Sequence, residues 1–509
     1  MTASADPGSG VAPEAPPPLA FSDRPVTLGV LFVTSGLCAV AYQVLLGRYV
    51  QLIVGATAYA ASAVLVAFML GVSAGSALGG VWSERSDRPL RLYALAEAGI
   101  GLYAILFPWL FPLYGELYAR LAPPPAAELS AGRMLARFAL GVTVFLLPSF
   151  LMGATTPAFA RAVAATRPDH GRWLARLYGW NTVGGAAGAF LGAYAIVPIL
   201  GMRLGLAVLA ATNLAVAAVA YRLAKSGPTI PESPAAAAGG TEASEPAGRG
   251  PRTFLLLAFA TGLISFGLEV VWTHLLAVLI GNSSYAFGLM LTAILTGLAL
   301  GTVAASRLAE PRARALSWIG PCLVLGGLGV VLTIPVWDDV PYLFLALRGR
   351  IASFALMEAT RFVVALLLML VPTALLGVSF PLVLRAAVPP DGRRLARHIG
   401  LVYSVNTVGA VVGATTGAYV LLASLGSLVA LKVLGAALIG TGALAMVALG
   451  RRPFERTVAA ASLALAVLAV FMPAHWDVEA LNLGRRSTSA GRARTKASSS
   501  ITPRTPPAA

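Results

Sequence analysis

Long apolar runs separated by short polar stretches succeed one another along the whole chain. A helix rises about 1.5 Å per residue, so roughly 20 apolar residues cross the hydrocarbon core of a bilayer. Runs at 27–53, 57–80, 92–112, 138–160, 177–200 and 204–221 meet that length or approach it, as do 253–280, 284–306, 315–336, 360–384, 399–424 and 427–449. Together they predict twelve spanning helices. A shorter run, 457–472, predicts a thirteenth helix at the lower limit of spanning length. Membrane β-strands would read as short alternating segments. These runs are continuous and rich in Leu, Ala, Val and Gly, so the fold class is an all-α membrane protein.

The two sets of six runs are copies of one another. At an offset of about 226 residues Gly36 falls on Gly262, Gln43 on Glu269, Gly71 on Gly297 and Gly75 on Gly301. Further on, LLPSFLMGATTPAFAR matches LVPTALLGVSFPLVLR, pairing Pro148 with Pro372, Gly153 with Gly377, Pro157 with Pro381 and Arg161 with Arg385. LYGWNTVGGAAGAFLGAY matches LVYSVNTVGAVVGATTGAY, pairing Tyr178 with Tyr403 and Asn181 with Asn406. Six spans per copy bring the chain back to the side it started from, so the repeats are parallel, related by an axis along the membrane normal.

Polar and small residues inside the spans supply the candidate chemistry. A carboxylate at mid-membrane is costly and marks a functional position. Glu269 is the seventeenth residue of span seven, and its counterpart Gln43 is neutral. This pair is read as the place where the halves differ in charge within the membrane. Gln43, Glu269, Asn181 and Asn406 are therefore the expected substrate-binding residues. The glycine pairs Gly71/Gly75 and Gly297/Gly301 are expected to pack helices closely, because a glycine every fourth residue opens one helix face. The four prolines remove backbone donors, and the carbonyls they free need partners from neighbouring helices.

Charge sets the orientation. The stretches after even-numbered spans hold twenty-one Lys and Arg, for example Arg85, Arg88 and Arg91, whereas the opposite loops hold seven. The positive-inside rule puts the N-terminus and the even loops in the cytoplasm. The formal charge of +16 is thereby explained by loops, and nucleic acid is excluded as a partner. Hydrophobic residues make up 58% and charged residues 11%, less than half the charged share of a soluble domain. The expected organisation is a disordered tail 1–26, a first repeat 27–222, a linker 223–252 and a second repeat 253–450. A connection follows at 451–484 and a basic, disordered tail at 485–509. Cys38 and Cys322 lie in apolar runs and read as packing residues. No phosphate loop, His-Glu-x2-His or nucleophile elbow is present, so no catalytic residue, metal site or cofactor is expected.

The blocks SGLCAVAYQVLLGRYVQLIVGATAYAAS, LRLYALAEAGIGLYA, LLPSFLMGATTPAFAR and LYGWNTVGGAAGAFLGAY resemble the membrane module of bacterial proteins in which a major-facilitator-like transporter is fused to a spermidine synthase. The resemblance spans roughly residues 27–484. GGVWSERSDRPLR is likewise similar to the Gly-x3-Asp-Arg loop of major facilitator proteins, with Glu84 where that pattern has Asp. The resemblance implies a major-facilitator-like fold and a C-terminal aminopropyltransferase domain. The segment from Arg485 onward has no strand pattern, Gly-rich turn or acidic residue, so that domain is not expected in this chain, and a change of reading frame near 484 is one explanation. Three functions stay open: a transporter moving polyamines or related small cations by alternating access, a truncated membrane-bound spermidine synthase, and a membrane scaffold for a separate synthase. The lipid bilayer is the common partner of all three.

Overall fold

The computed structural model describes residues 25–54, 58–121, 131–164, 170–226, 229, 251–280, 284–347, 350–351, 353–388, 395–450, 453–472 and 476. The expected linker lies largely outside them, and the two expected tails almost wholly so. The described residues contain eleven helical stretches long and apolar enough to cross a membrane. Two of these, Arg176–Ser226 and Leu395–Leu449, hold two passes each. The chain turns inside them at Gly201 and Gly426, where φ is +71° and +74°, a conformation that side chains with a Cβ rarely adopt.

The first six helices are α1 (Pro25–Val54), α2 (Ala58–Arg85), α3 (Pro89–Leu121), α4 (Ala131–Ala164), α5 (His170–Leu191) and α6 (Gly201–Ser226). The second six are α7 (Pro251–Ile280), α8 (Ser284–Leu308), α9 (Arg312–Leu347), α10 (Phe354–Ala387), α11 (Leu395–Thr416) and α12 (Gly426–Leu449). Widened π-helical turns, Gly192–Leu200 and Gly417–Leu425, join α5 to α6 and α11 to α12 at equivalent places. A thirteenth helix, α13 (Pro453–Phe471), packs on α12 at the periphery. There the Lys432 ammonium donates to the Met472 carbonyl at 2.6 Å, so a buried cation of α12 is met by the end of α13.

Packing follows the duplication. Helix α2 lies on α4 as α8 lies on α10; α1 lies on α5 as α7 on α11; α3 lies on α6 as α9 on α12. The halves meet through α2 against α11 and α5 against α8, which exchange under the repeat. Glycine makes these approaches. A Cβ on Gly71 would sit 1.9 Å from Ser149 Oγ, and one on Gly297 the same distance from Thr373 Oγ1. At both Gly75 and Gly301 the clash would be with a backbone oxygen at 1.8 Å.

Neighbouring hydroxyls fill three of the four proline gaps. Pro157 cannot donate to the Gly153 carbonyl, which instead accepts from Ser76 Oγ of α2 at 3.0 Å. In the second half Pro381 frees the Gly377 carbonyl, and Thr302 Oγ1 of α8 donates to it at 3.2 Å. The Val144 carbonyl, freed by Pro148, accepts from Tyr103 Oη at 2.7 Å. Each bond ties a broken helix to its neighbour and removes a polar orphan from the apolar interior.

Odd-numbered helices up to α11 start at one end of the bundle, which carries the Arg-rich stretches and is here termed the basic face.

Candidate functional site

A cavity of about 190 Å³ lies at mid-depth between the halves. Equivalent positions of the two repeats line it in pairs. Gln43 faces it with Glu269, Val40 with Phe266, Leu65 with Leu291 and Val72 with Leu298. Tyr178 and Tyr403, Asn181 and Asn406, and Thr182 and Thr407 complete the set. The four expected substrate-binding residues, scattered over more than 360 positions of sequence, are thus brought to one space. The glycines explain how: at Gly36 and Gly262 a Cβ would meet the backbone oxygens of Asn181 and Asn406 at 2.2 and 2.0 Å, so α1 and α7 sit directly against α5 and α11.

The charge inside is of one sign. Glu269 is the one acidic residue among those lining the cavity, and none of them is Lys, Arg or His. No basic side chain lies within 4 Å of its carboxylate among the described residues. Asn406 Nδ2 is held, donating to the Ala258 carbonyl at 2.8 Å, which leaves its oxygen for other contacts.

Aromatic rings close the floor toward the basic face. Tyr178 and Tyr403, repeat equivalents, meet across the axis with ring centroids 6.3 Å apart. Phe380 packs on both, at 5.2 and 5.7 Å. Its counterpart in the first half is Thr156, which lines the cavity instead. Below the rings, Glu84 at the end of α2 accepts from the Ala396 amide at 2.6 Å, capping the start of α11. A carboxylate there complements the free amides and positive end of the helix. Arg161 pairs with Glu84 at 3.4 Å, both side chains being buried, and also donates to the Ser83 carbonyl. The repeat copy is Glu310 with Arg385 at 2.8 Å, more exposed. At the other end, Tyr194 of the first half donates to Glu358 of the second at 3.1 Å, and Arg361 pairs with the same carboxylate. Side-chain links between the halves therefore exist both above and below the cavity.

The structure corrects one expectation. Gln43 against Glu269 is not the only charge difference within the membrane. Glu97, in the first third of α3, is fully buried and accepts hydrogen bonds from Ser35 and Asn213. The close contact of Gly101 with the Ala210 carbonyl recurs as Gly327 with Gly435, which fixes the register of α3 on α9. In that register Leu323 replaces Glu97, Leu438 replaces Asn213 and Ile319 replaces Tyr93, all three fully buried. Lys432 likewise stands where the first half has Ala207. A lone acidic residue in the run 92–112 was the available signal for Glu97.

No family model matches the chain, and no curated protein matches its sequence. Among solved structures, the human organic anion transporter MFSD10 superimposes with a TM-score of 0.53 at 16% identity, over 85% of this chain and 100% of that one. The proton:xylose symporter XylE of the major facilitator superfamily gives a TM-score of 0.51 at 12% identity, over 83% of this chain and 95% of that one. The architecture is the major facilitator fold. At these identities the likeness is one of fold, and the particulars of function rest on the cavity.

Proposed function

We propose that this protein is a multi-pass transporter of a bacterial inner membrane that moves a small cationic metabolite by alternating access of its two halves. The observation that carries the reading is the central cavity, lined by equivalent residues of both repeats, with a single carboxylate and no cation. Glu269 supplies the charge for an ammonium group. Gln43, Asn181 and Asn406 supply amide oxygens around it, and the apolar pairs accommodate a methylene chain. A carboxylate in such a low-dielectric space attracts a cation far more strongly than one in water. The N-terminus and the basic face lie in the cytoplasm on this reading, which follows the loop charges.

The fold's other features support alternating access. The rings of Tyr178, Tyr403 and Phe380 form a floor that parts if α5 and α11 separate, and the Glu84 contact with α11 forms on closing the basic face. Polyamines are the substrate proposed, because the sequence resembles modules fused to spermidine synthases and because an ammonium group on a methylene chain suits one carboxylate beside apolar pairs. That same resemblance supports a second reading, in which the module holds a separate synthase at the membrane.

Uptake of labelled putrescine and spermidine into proteoliposomes tests the first reading. Wild-type protein is expected to load the vesicles, and Glu269→Gln to lower uptake at least about tenfold, a loss of roughly 1.4 kcal/mol in transition-state stabilisation. Equal counts in wild-type, Glu269→Gln and protein-free vesicles would sink it. Co-purification of a synthase with a transport-inactive module would favour the scaffold.

A further inference from the structure

The cavity is not symmetric. Beyond the paired residues it has an extension on the first-half side only, lined by Ser35, Ile100, Met152 and Asn213. The equivalents Thr261, Gly326, Leu376 and Leu438 do not line it. Behind Ser35 and Asn213 sits Glu97, out of contact with solvent. The geometry points to a proton-binding site formed by Glu97, Asn213 and Ser35, opening on the first half of the cavity and separate from Glu269.

Three observations carry this. First, Glu97 has no basic neighbour within 4 Å among the described residues. The titratable groups around it are Tyr93 on its own helix and Cys38 and Tyr42 on α1, all neutral when protonated. Ion pairing therefore does not account for a carboxyl at this depth, and a proton is the remaining cation small enough to reach it. Second, the partners suit both protonation states. Asn213 Nδ2 and Ser35 Oγ donate to the carboxylate. Asn213 Oδ1, buried in a residue 1% exposed, has no partner. Turned over, the same amide offers that oxygen to the O–H of the acid. Third, the second half shows what simple packing needs at this place, namely Leu323, Leu438 and Ile319. A polar cluster is thus not required to join these helices, and its presence on one side calls for another cause.

In the proposed step a proton from water in the cavity passes Asn213 or Ser35 and bonds to a Glu97 oxygen; release returns it the same way. The use of this proton in coupling rests on the transport reading above, whereas its binding does not.

Infrared difference spectroscopy of purified protein between acidic and alkaline buffer tests the binding. The expected result is a protonated-carboxyl carbonyl band that vanishes at alkaline pH, is kept in Glu269→Gln and is lost in Glu97→Gln. The paired variant Glu97→Leu/Asn213→Leu copies the second half, is expected to fold, and is expected to lack the band as well. A pH-dependent spectrum that is the same in wild type and in Glu97→Gln overturns the proposal. Coupling has its own readout: stimulation of putrescine uptake by an imposed pH gradient should fall to about onefold in Glu97→Gln while exchange without a gradient persists. Absence of any uptake would defeat the transport reading and leave the infrared result standing.

Discussion

The two halves agree where backbones touch, and share Tyr, Asn and Thr pairs at the cavity, but differ at other positions that face it. Gly71 and Gly297, Gly75 and Gly301, and the turns at Gly201 and Gly426 meet nearly the same geometry in both copies. So do the proline carbonyls served by Ser76 and Thr302. Against this, Gln43 stands opposite Glu269, Thr156 opposite Phe380, and Glu97 with Asn213 opposite two leucines. A neighbouring oxygen within 2 Å of a would-be Cβ, as at all four helix glycines, leaves no alternative to glycine, so duplication preserves it. Other cavity positions have no such constraint, and at several of them the copies diverged, leaving one cavity with two unlike sides. Symmetry marks what holds the bundle together.

The ion pairs at the basic face test how deep this comparison goes. Glu84–Arg161 and Glu310–Arg385 are the same pair by position, yet the side chains are 7% and 5% exposed in the first and 23% and 13% in the second. Removing one partner of a buried pair strands the other charge, at a cost of about 3 kcal/mol. A more exposed pair is screened and contributes about 1 kcal/mol or less. Glu84→Gln should therefore lower thermal stability in detergent clearly more than Glu310→Gln. It should also raise the labelling of a cysteine placed at Ser404 of α11, whose hydroxyl lies 2.9 Å from Ser73 Oγ of α2, since Glu84 caps α11. Equal losses in the two variants would mean that burial is not what separates the pairs.

A charge exchange sharpens the comparison at the cavity. Glu269→Gln is expected to abolish most uptake, by about tenfold or more. Adding Gln43→Glu moves the carboxylate to the equivalent wall of the same space, and a substrate held mainly by its charge should then recover a substantial part of the loss. Recovery would show that the two sides are interchangeable for charge. No recovery, with the protein still folded, would place the specificity in neighbours that differ, Phe266 against Val40 and Ser265 against Ala39.

Hydrophobic run lengths predicted every helix of the described residues in its correct order, because spanning a bilayer demands about the same number of apolar residues each time. The helices extend past the runs, as α9 does to Leu347, since ends outside the hydrocarbon tolerate polar residues. The repeat also foretold the convergence of Gln43, Asn181, Glu269 and Asn406 in outline, for residues at matching depth on the inner faces of two related bundles must meet near their axis. Glu97 escaped for a physical reason. Helices α3 and α9 lie outside the axial contacts, so selection for close backbone approach has left few shared residues by which to align them. Only the packing of Gly101 and Gly327 sets their register. Glu310 was hidden similarly, because the last turn of α8 has Ser306 where α2 has Gly80.

The smallest expected effect falls on the hydroxyls that serve the proline gaps. Ser76 Oγ reaches the Gly153 carbonyl at 3.0 Å, whereas Thr302 Oγ1 has its own-helix carbonyl of Leu298 at 2.7 Å as well as Gly377 at 3.2 Å. A hydroxyl has one proton to give, so Thr302 shares what Ser76 commits. Ser76→Ala should cost about 1 kcal/mol and Thr302→Val about half that, read as shifts in melting temperature in detergent. The cause can be isolated, because Pro157→Ala restores an amide that donates to the Gly153 carbonyl directly. In that background Ser76→Ala should cost almost nothing, and a loss that persists would show that the serine acts through packing rather than through the carbonyl that proline leaves open.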